Sequence, residues 1–116
     1  MDYETFNKIV EDEINKIKST LSNKQSEYMH SENRFDSFIK ASKLTGLTTK
    51  QALGGQLSKH IVSIFDMINS DKIYTNNMWI EKITDAICYE LLLLGIATEE
   101  NLKCVLEYCT NKYEDK

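Results

Sequence analysis

Two polar runs interrupt the most apolar half of this chain, and their side chains are of the kinds that hold phosphate or metal. Lys59, His60, Ser63 and Asp66 form the first run. Trp79, Glu81, Lys82, Asp85 and Tyr89 form the second. Both lie in stretches that otherwise read as buried helices. Burying an unpaired charge is costly. These groups must therefore pair with one another, face water, or bind something.

Each choice has a definite chemistry. Asp66, Glu81 and Asp85 would suit Mg²⁺, which prefers carboxylates and keeps waters for a phosphate substrate. Arg34, Lys59, His60 and Lys82 would instead contact phosphate directly, with Tyr89 or Trp79 stacking on a base. Ser63 lies on the first polar line, and the Tyr89 hydroxyl would support the pocket. The plainer alternatives are a salt-bridge network, Lys59 with Asp66 and Lys82 with Asp85, or simple exposure to solvent. Arg34 is the single arginine beside thirteen lysines. Its planar fork fits a carboxylate or phosphate better than lysine does, although codon chance would equally leave one arginine.

Helices must position these residues. There is no proline, there are four glycines, and apolar residues recur at steps of three and four rather than two. Tyr3, Phe6, Val10, Ile14, Ile17 and Leu21 predict a long first helix over residues 2–22, with Glu4, Lys8, Glu11 and Lys18 on its solvated face. Its stripe is long enough to serve a partner helix, or it is buried within one subunit. Residues 23–32 read as a connection or a broken continuation, with His30 exposed. A short helix follows Asn33, with Phe35, Phe38, Ile39 and Leu44 inward and Gly46 as its C-terminal stop. Thr48 and Gln51 have the spacing of a capping box and open a third helix. Gly54 and Gly55 in its first turns weaken helix propensity, which suggests close packing or close ligand approach. A fourth helix is expected from Met78 to Leu94, ending at Gly95. Thr98 then caps a fifth, with Leu102, Val105, Leu106 and Cys109 as its stripe and residues 111–116 frayed.

On the third helix Lys59, Ser63 and Asp66 share one line. On the fourth Glu81, Asp85 and Tyr89 share another. If these helices pack antiparallel, the lines face each other. The expected fold is a single all-α domain spanning residues 1–116, four to five helices in a compact, oligomeric bundle.

Composition bounds the rest. Apolar residues make up 41% of the 116-residue chain and charged residues 28%, as in a soluble domain. A formal net charge of −4 argues against nucleic acid as a partner. The acidic start of the chain has no apolar signal region, and the run from Ile87 to Ile96 is too short to span a bilayer. Cys88, Cys104 and Cys109 show no zinc-like spacing. With no secretion signal, they fit a reducing cytoplasm. No nucleophile elbow, phosphate-binding loop, zinc helix motif or dinucleotide fingerprint is present.

Several of these residues recur in a known pattern. Lys24, Tyr28, Arg34-Phe35, Phe38, Ala41, Leu44, Gly46, Thr48, Ala52-Leu53, Lys59-His60, Ser63, Asp66-Met67, Trp79, Glu81-Lys82, Asp85 and Tyr89 resemble a group of short phage and prophage proteins without settled function. The likeness covers about two thirds of the chain and implies a phage origin and a bacterial cytoplasm. A fainter likeness is to the MazG-like all-α nucleotide pyrophosphatases, which carry metal-binding carboxylates on adjacent helices of a dimeric or tetrameric bundle. Their acidic pairs are ExxE and ExxD. Here Glu81 and Asp85 stand one residue further apart, and no ExxE precedes them on the third helix. The leading expectation is a phage-encoded protein that binds a nucleotide or related phosphorylated metabolite, in the manner of a counter-defence sponge. An interaction module acting on a host protein and a Mg²⁺-dependent pyrophosphatase are the alternatives.

Overall fold

A computed structural model describes residues 1–27 and 33–114, with side chains described over 1–23 and 33–111. His30 and Tyr28 lie outside the described residues. Four α-helices make up the described chain: α1 (Tyr3–Glu27), α2 (Asp36–Thr45), α3 (Thr49–Ile68) and α4 (Asn76–Glu114). No strand occurs among the described residues.

Local chemistry accounts for most of the boundaries. Asp2 accepts from the Thr5 N–H at 2.8 Å and starts α1, satisfying an amide that the first turn leaves without a partner. Gly46 ends α2 at φ 71°, a left-handed conformation that a side chain disfavours. Thr48 Oγ1 accepts from the Gln51 N–H at 3.1 Å, and Gln51 Oε1 accepts from the Thr48 N–H at 2.9 Å. The expected capping box is therefore formed from both sides. Thr75 Oγ1 accepts from the Met78 N–H at 3.2 Å, so α4 starts at Asn76, slightly before the expected Met78.

The first helix continues past residue 22 to Glu27, the continuation that the polar run left open. One expectation about a helix end is corrected. The fourth does not stop at Gly95: one helix of 39 residues replaces the expected two. Thr98 is not a cap, because its hydroxyl donates back to the Leu94 carbonyl at 2.7 Å within the helix. That internal bond offers threonine an alternative to capping. Gly95 serves packing instead. A Cβ placed there would lie 2.8 Å from the tip of the Phe35 ring, so glycine lets the chain before α2 press onto α4. The Gly54–Gly55 pair shows no such approach, since a Cβ at either position would meet nothing within 4 Å.

Residues 69–75 reverse the chain, and α4 returns along α3. The buried apolar side chains, Leu53, Met67, Ala86, Cys88 and Ile96, belong to these two helices. α2 covers α3, while α1 lies on α4. Thr84 on α4 is buried, and its hydroxyl donates to the Glu13 carboxylate of α1 at 2.6 Å. Further along, Leu21 and Ser22 share a recess with Leu91 and Leu92, so α1 runs parallel to α4. Lys50 and Glu100, 3.0 Å apart, tie the start of α3 to the middle of α4.

Beyond that tie, every residue of α4 from 101 to 111 is exposed. The first ten residues of α1 are exposed too. The expected compactness is therefore not what the chain shows. Its radius of gyration is 18.5 Å, against about 13 Å for a folded domain of this length.

Candidate functional site

α2 and its entry, the first turns of α3 and the middle of α4 enclose an open cleft of about 270 Å³, close to the small end of ligand-binding pockets. Helical spacing builds each wall. Arg34, Phe38 and Ala41 come from the entry to α2 and its following turns. Ala52 and Gln56 stand one turn apart on α3, and Tyr89 and Leu92 one turn apart on α4. Ser37 completes the lining. The two alanines leave the space that larger side chains would fill.

Three rings hold the helices together beside the cleft. His60, one turn beyond Gln56, stacks on Tyr89 with centroids 4.8 Å apart and an interplanar angle of 28°. Phe38 meets Tyr89 edge-on at 6.2 Å. Tyr89 thus joins all three helices, and the attraction of edge and face contacts adds to the burial of the rings. His60 is half-buried in this stack.

Arg34 is the charged group of the lining. Its guanidinium is half-buried and donates from Nη2 to the Leu21 carbonyl of α1 at 3.1 Å. A guanidinium carries five N–H donors, and this bond uses one of them. The lone arginine therefore has a geometric role, pinning α1 to the start of α2, while its side chain remains on the cleft wall.

The other expected residues are distributed differently. Lys59, Asp66 and Glu81 are exposed, whereas Ser63, Lys82 and Asp85 are half-buried. None of these six lines the cleft. Neither Lys59 with Asp66 nor Lys82 with Asp85 forms an ion pair, so the expected salt-bridge network is absent among the described residues. Nor do three His, Cys, Asp or Glu side chains converge anywhere among the described residues in a way that could hold a metal ion. Asp66, Glu81 and Asp85 therefore do not make a three-carboxylate Mg²⁺ site within one chain. They lie along two helix faces, where spacing alone fixed the line but not the convergence. Trp79 stands apart from the cleft and meets Tyr74 edge-on at 6.1 Å, bracing the turn into α4.

Gln56, Ser37, Ala41 and Ala52 escaped the sequence reading as site residues. A signal was available for two of them, since Ala52 and Gln56 precede His60 by two and one helical turns. The Glu13–Thr84 bond had no such signal, because it joins residues far apart in the chain. No protein-family model, curated protein or solved structure matches this chain. No described helix is long and apolar enough to cross a membrane.

Proposed function

We propose that the chain binds a small planar anion, a nucleotide or related phosphorylated metabolite, in the cleft between α2, α3 and α4. The observation that carries this reading is that Arg34 and Tyr89 line the same cleft, with His60 stacked on the tyrosine. A guanidinium and an aromatic ring lining one cleft offer charge to a phosphate and a face to a base. Lys59, one turn beyond Gln56, would add long-range attraction at the rim. Arg34, Phe38, Ala41, Ala52 and Tyr89, all on the cleft, are also among the residues that carry the likeness to phage proteins. In that setting the ligand would be a host signalling nucleotide held intact in the cytoplasm, as a sponge holds it.

Incubation with a nucleotide panel and Mg²⁺, followed by mass spectrometry of bound and free species, tests this reading. A ligand retained intact supports it. Arg34→Met then weakens binding at least ~10-fold while Arg34→Lys retains part of it. Circular dichroism of both variants reports whether loss of the Leu21 bond disturbs α1. Release of pyrophosphate would make the protein an enzyme instead. No binding across the panel would sink the proposal.

A second reading has its own support. Tyr3, Phe6, Val10 and Ile14 expose an apolar stripe on the unpacked half of α1, which suits a protein partner such as a host protein. Recovery of one host protein in defined stoichiometry, lost in Phe6→Asp, would favour it.

A further inference from the structure

The accessible surface of the chain is 9307 Å². A folded monomer of 13.4 kDa exposes about 6,500 Å², so roughly 2,800 Å² stands uncovered beyond that expectation. A stable dimer needs only about 800 Å² from each partner. Part of the exposed apolar surface is organised as a line. Ile80, Ile83, Ile87, Leu91, Leu94, Leu102, Val105 and Cys109 follow one another along α4 at steps that keep to one face of a straight helix, with Thr98 filling the gap. Up to Leu91 this line borders the α1 contact, where Leu91 shares a recess with Leu21 and Ser22; from 101 to 111 every residue is exposed. Leu94 is 62% exposed and Leu102 59% exposed. The line is about 44 Å long, more than enough for a helix-to-helix seam.

We propose that the occupant of this face is a second copy of the chain, whose α4 lies antiparallel on the first. The pattern itself argues for this occupant. The stripe is in large part self-complementary about the midpoint of Leu94 and Gly95: reversed end for end, it places Ile80 opposite Cys109, Ile87 opposite Leu102, and Leu91 opposite Thr98. A two-fold pair needs such a self-complementary patch. The antiparallel arrangement also covers two bare surfaces at once. The protruding end of each α4 lies over Ile80, Ile83 and Ile87 of the other copy. A parallel pair would set Glu90 beside its own counterpart, and the protruding ends would cover only each other. The inference stands apart from the ligand reading, since none of these residues lines the cleft.

Light scattering after size exclusion, over a range of concentrations, tests the pairing. A mass of two 13.4 kDa chains is expected; a monomer at every concentration would overturn the proposal. Leu102→Glu with Leu106→Glu lies outside the folded body, so helical circular dichroism is retained while association weakens at least ~100-fold. An unchanged dimer in that variant would place the seam elsewhere and overturn the assignment. A short bis-maleimide reads the direction, on a Cys104→Ser background. Antiparallel helices hold the two copies of Cys109 at opposite ends, so no cross-link forms until Ile80→Cys is added. Cross-linking through Cys109 without Ile80→Cys would overturn the antiparallel register.

Discussion

The two halves of α4 are one helix in hydrogen bonding and two different environments in packing. From Thr84 to Ile96 the helix lies between α1 and α3, and Thr84, Ala86, Cys88 and Ile96 are buried. From 101 to 111 nothing covers it. Both halves carry apolar side chains at helical spacing, so hydrophobic periodicity does not distinguish them. The difference lies in what is available to pack against. α3 begins at Thr49, and the Lys50–Glu100 pair marks the last point where the body reaches α4. Apolar spacing therefore says which side of a helix seeks cover, and only the lengths of its neighbours say whether the same chain supplies it.

The largest effect comes from making the same truncation on either side of that boundary. Leu53→Ala, at a position with 0% exposure facing the buried half of the hairpin, should cost about 2–5 kcal/mol in urea unfolding. Leu106→Ala, measured at concentrations where the chain is monomeric, should change the midpoint by no more than about 0.5 kcal/mol. Equal losses would abolish the distinction between the halves.

A smaller effect sharpens the comparison at the junction. Gly95→Ala forces the Phe35 ring to move and should destabilise the protein by about 1 kcal/mol. With Phe35→Leu the ring is gone, and the same alanine should stabilise by about 0.5–1 kcal/mol through helix propensity. A coupling near zero in this double-mutant cycle would show that the glycine does not serve the Phe35 contact.

The smallest effect is at the bare end of α1. Hydrogen bonding from the Thr5 side chain, and after it from the Thr5 N–H, holds the Asp2 carboxyl below its ordinary range. A lowered folded value contributes stability above the unfolded value, and that contribution is lost as pH falls through the lowered one. Fraying of the first turn, followed by the Thr5 amide signal, should thus begin only below about pH 4. Asp2→Asn should remove the acid step. A Thr5 signal unchanged down to pH 2 in the parent protein would contradict the assignment.

Sequence patterns located one helix stop and one helix start because those signals are local. Gly46 requires a left-handed turn, and Thr48 with Gln51 needs only each other. The same reasoning failed at Gly95 and Thr98, where the local signal is worth about 1 kcal/mol and a distant ring decided the outcome. The site divides in the same way. The polar lines on α3 and α4 were legible as helix faces, and His60 does meet Tyr89 across them. The cleft was not legible, because its walls depend on Ala41, Ala52 and Gln56, which carry no chemical signature. Nor could helical spacing show that Asp66, Glu81 and Asp85 would stay apart, since convergence depends on how two helices are rotated about their own axes.

Because Gly95 leaves α4 unbroken, Tyr89 and Leu106 ride on a single rod, about 25 Å apart along its axis. A rod hands on a twist or tilt without absorbing it, as a hinge at Gly95 would not. Whatever grips the far end of α4 thereby has leverage on the wall against which His60 and Phe38 rest. The reverse holds equally: a molecule wedged beside Tyr89 would steer the far end.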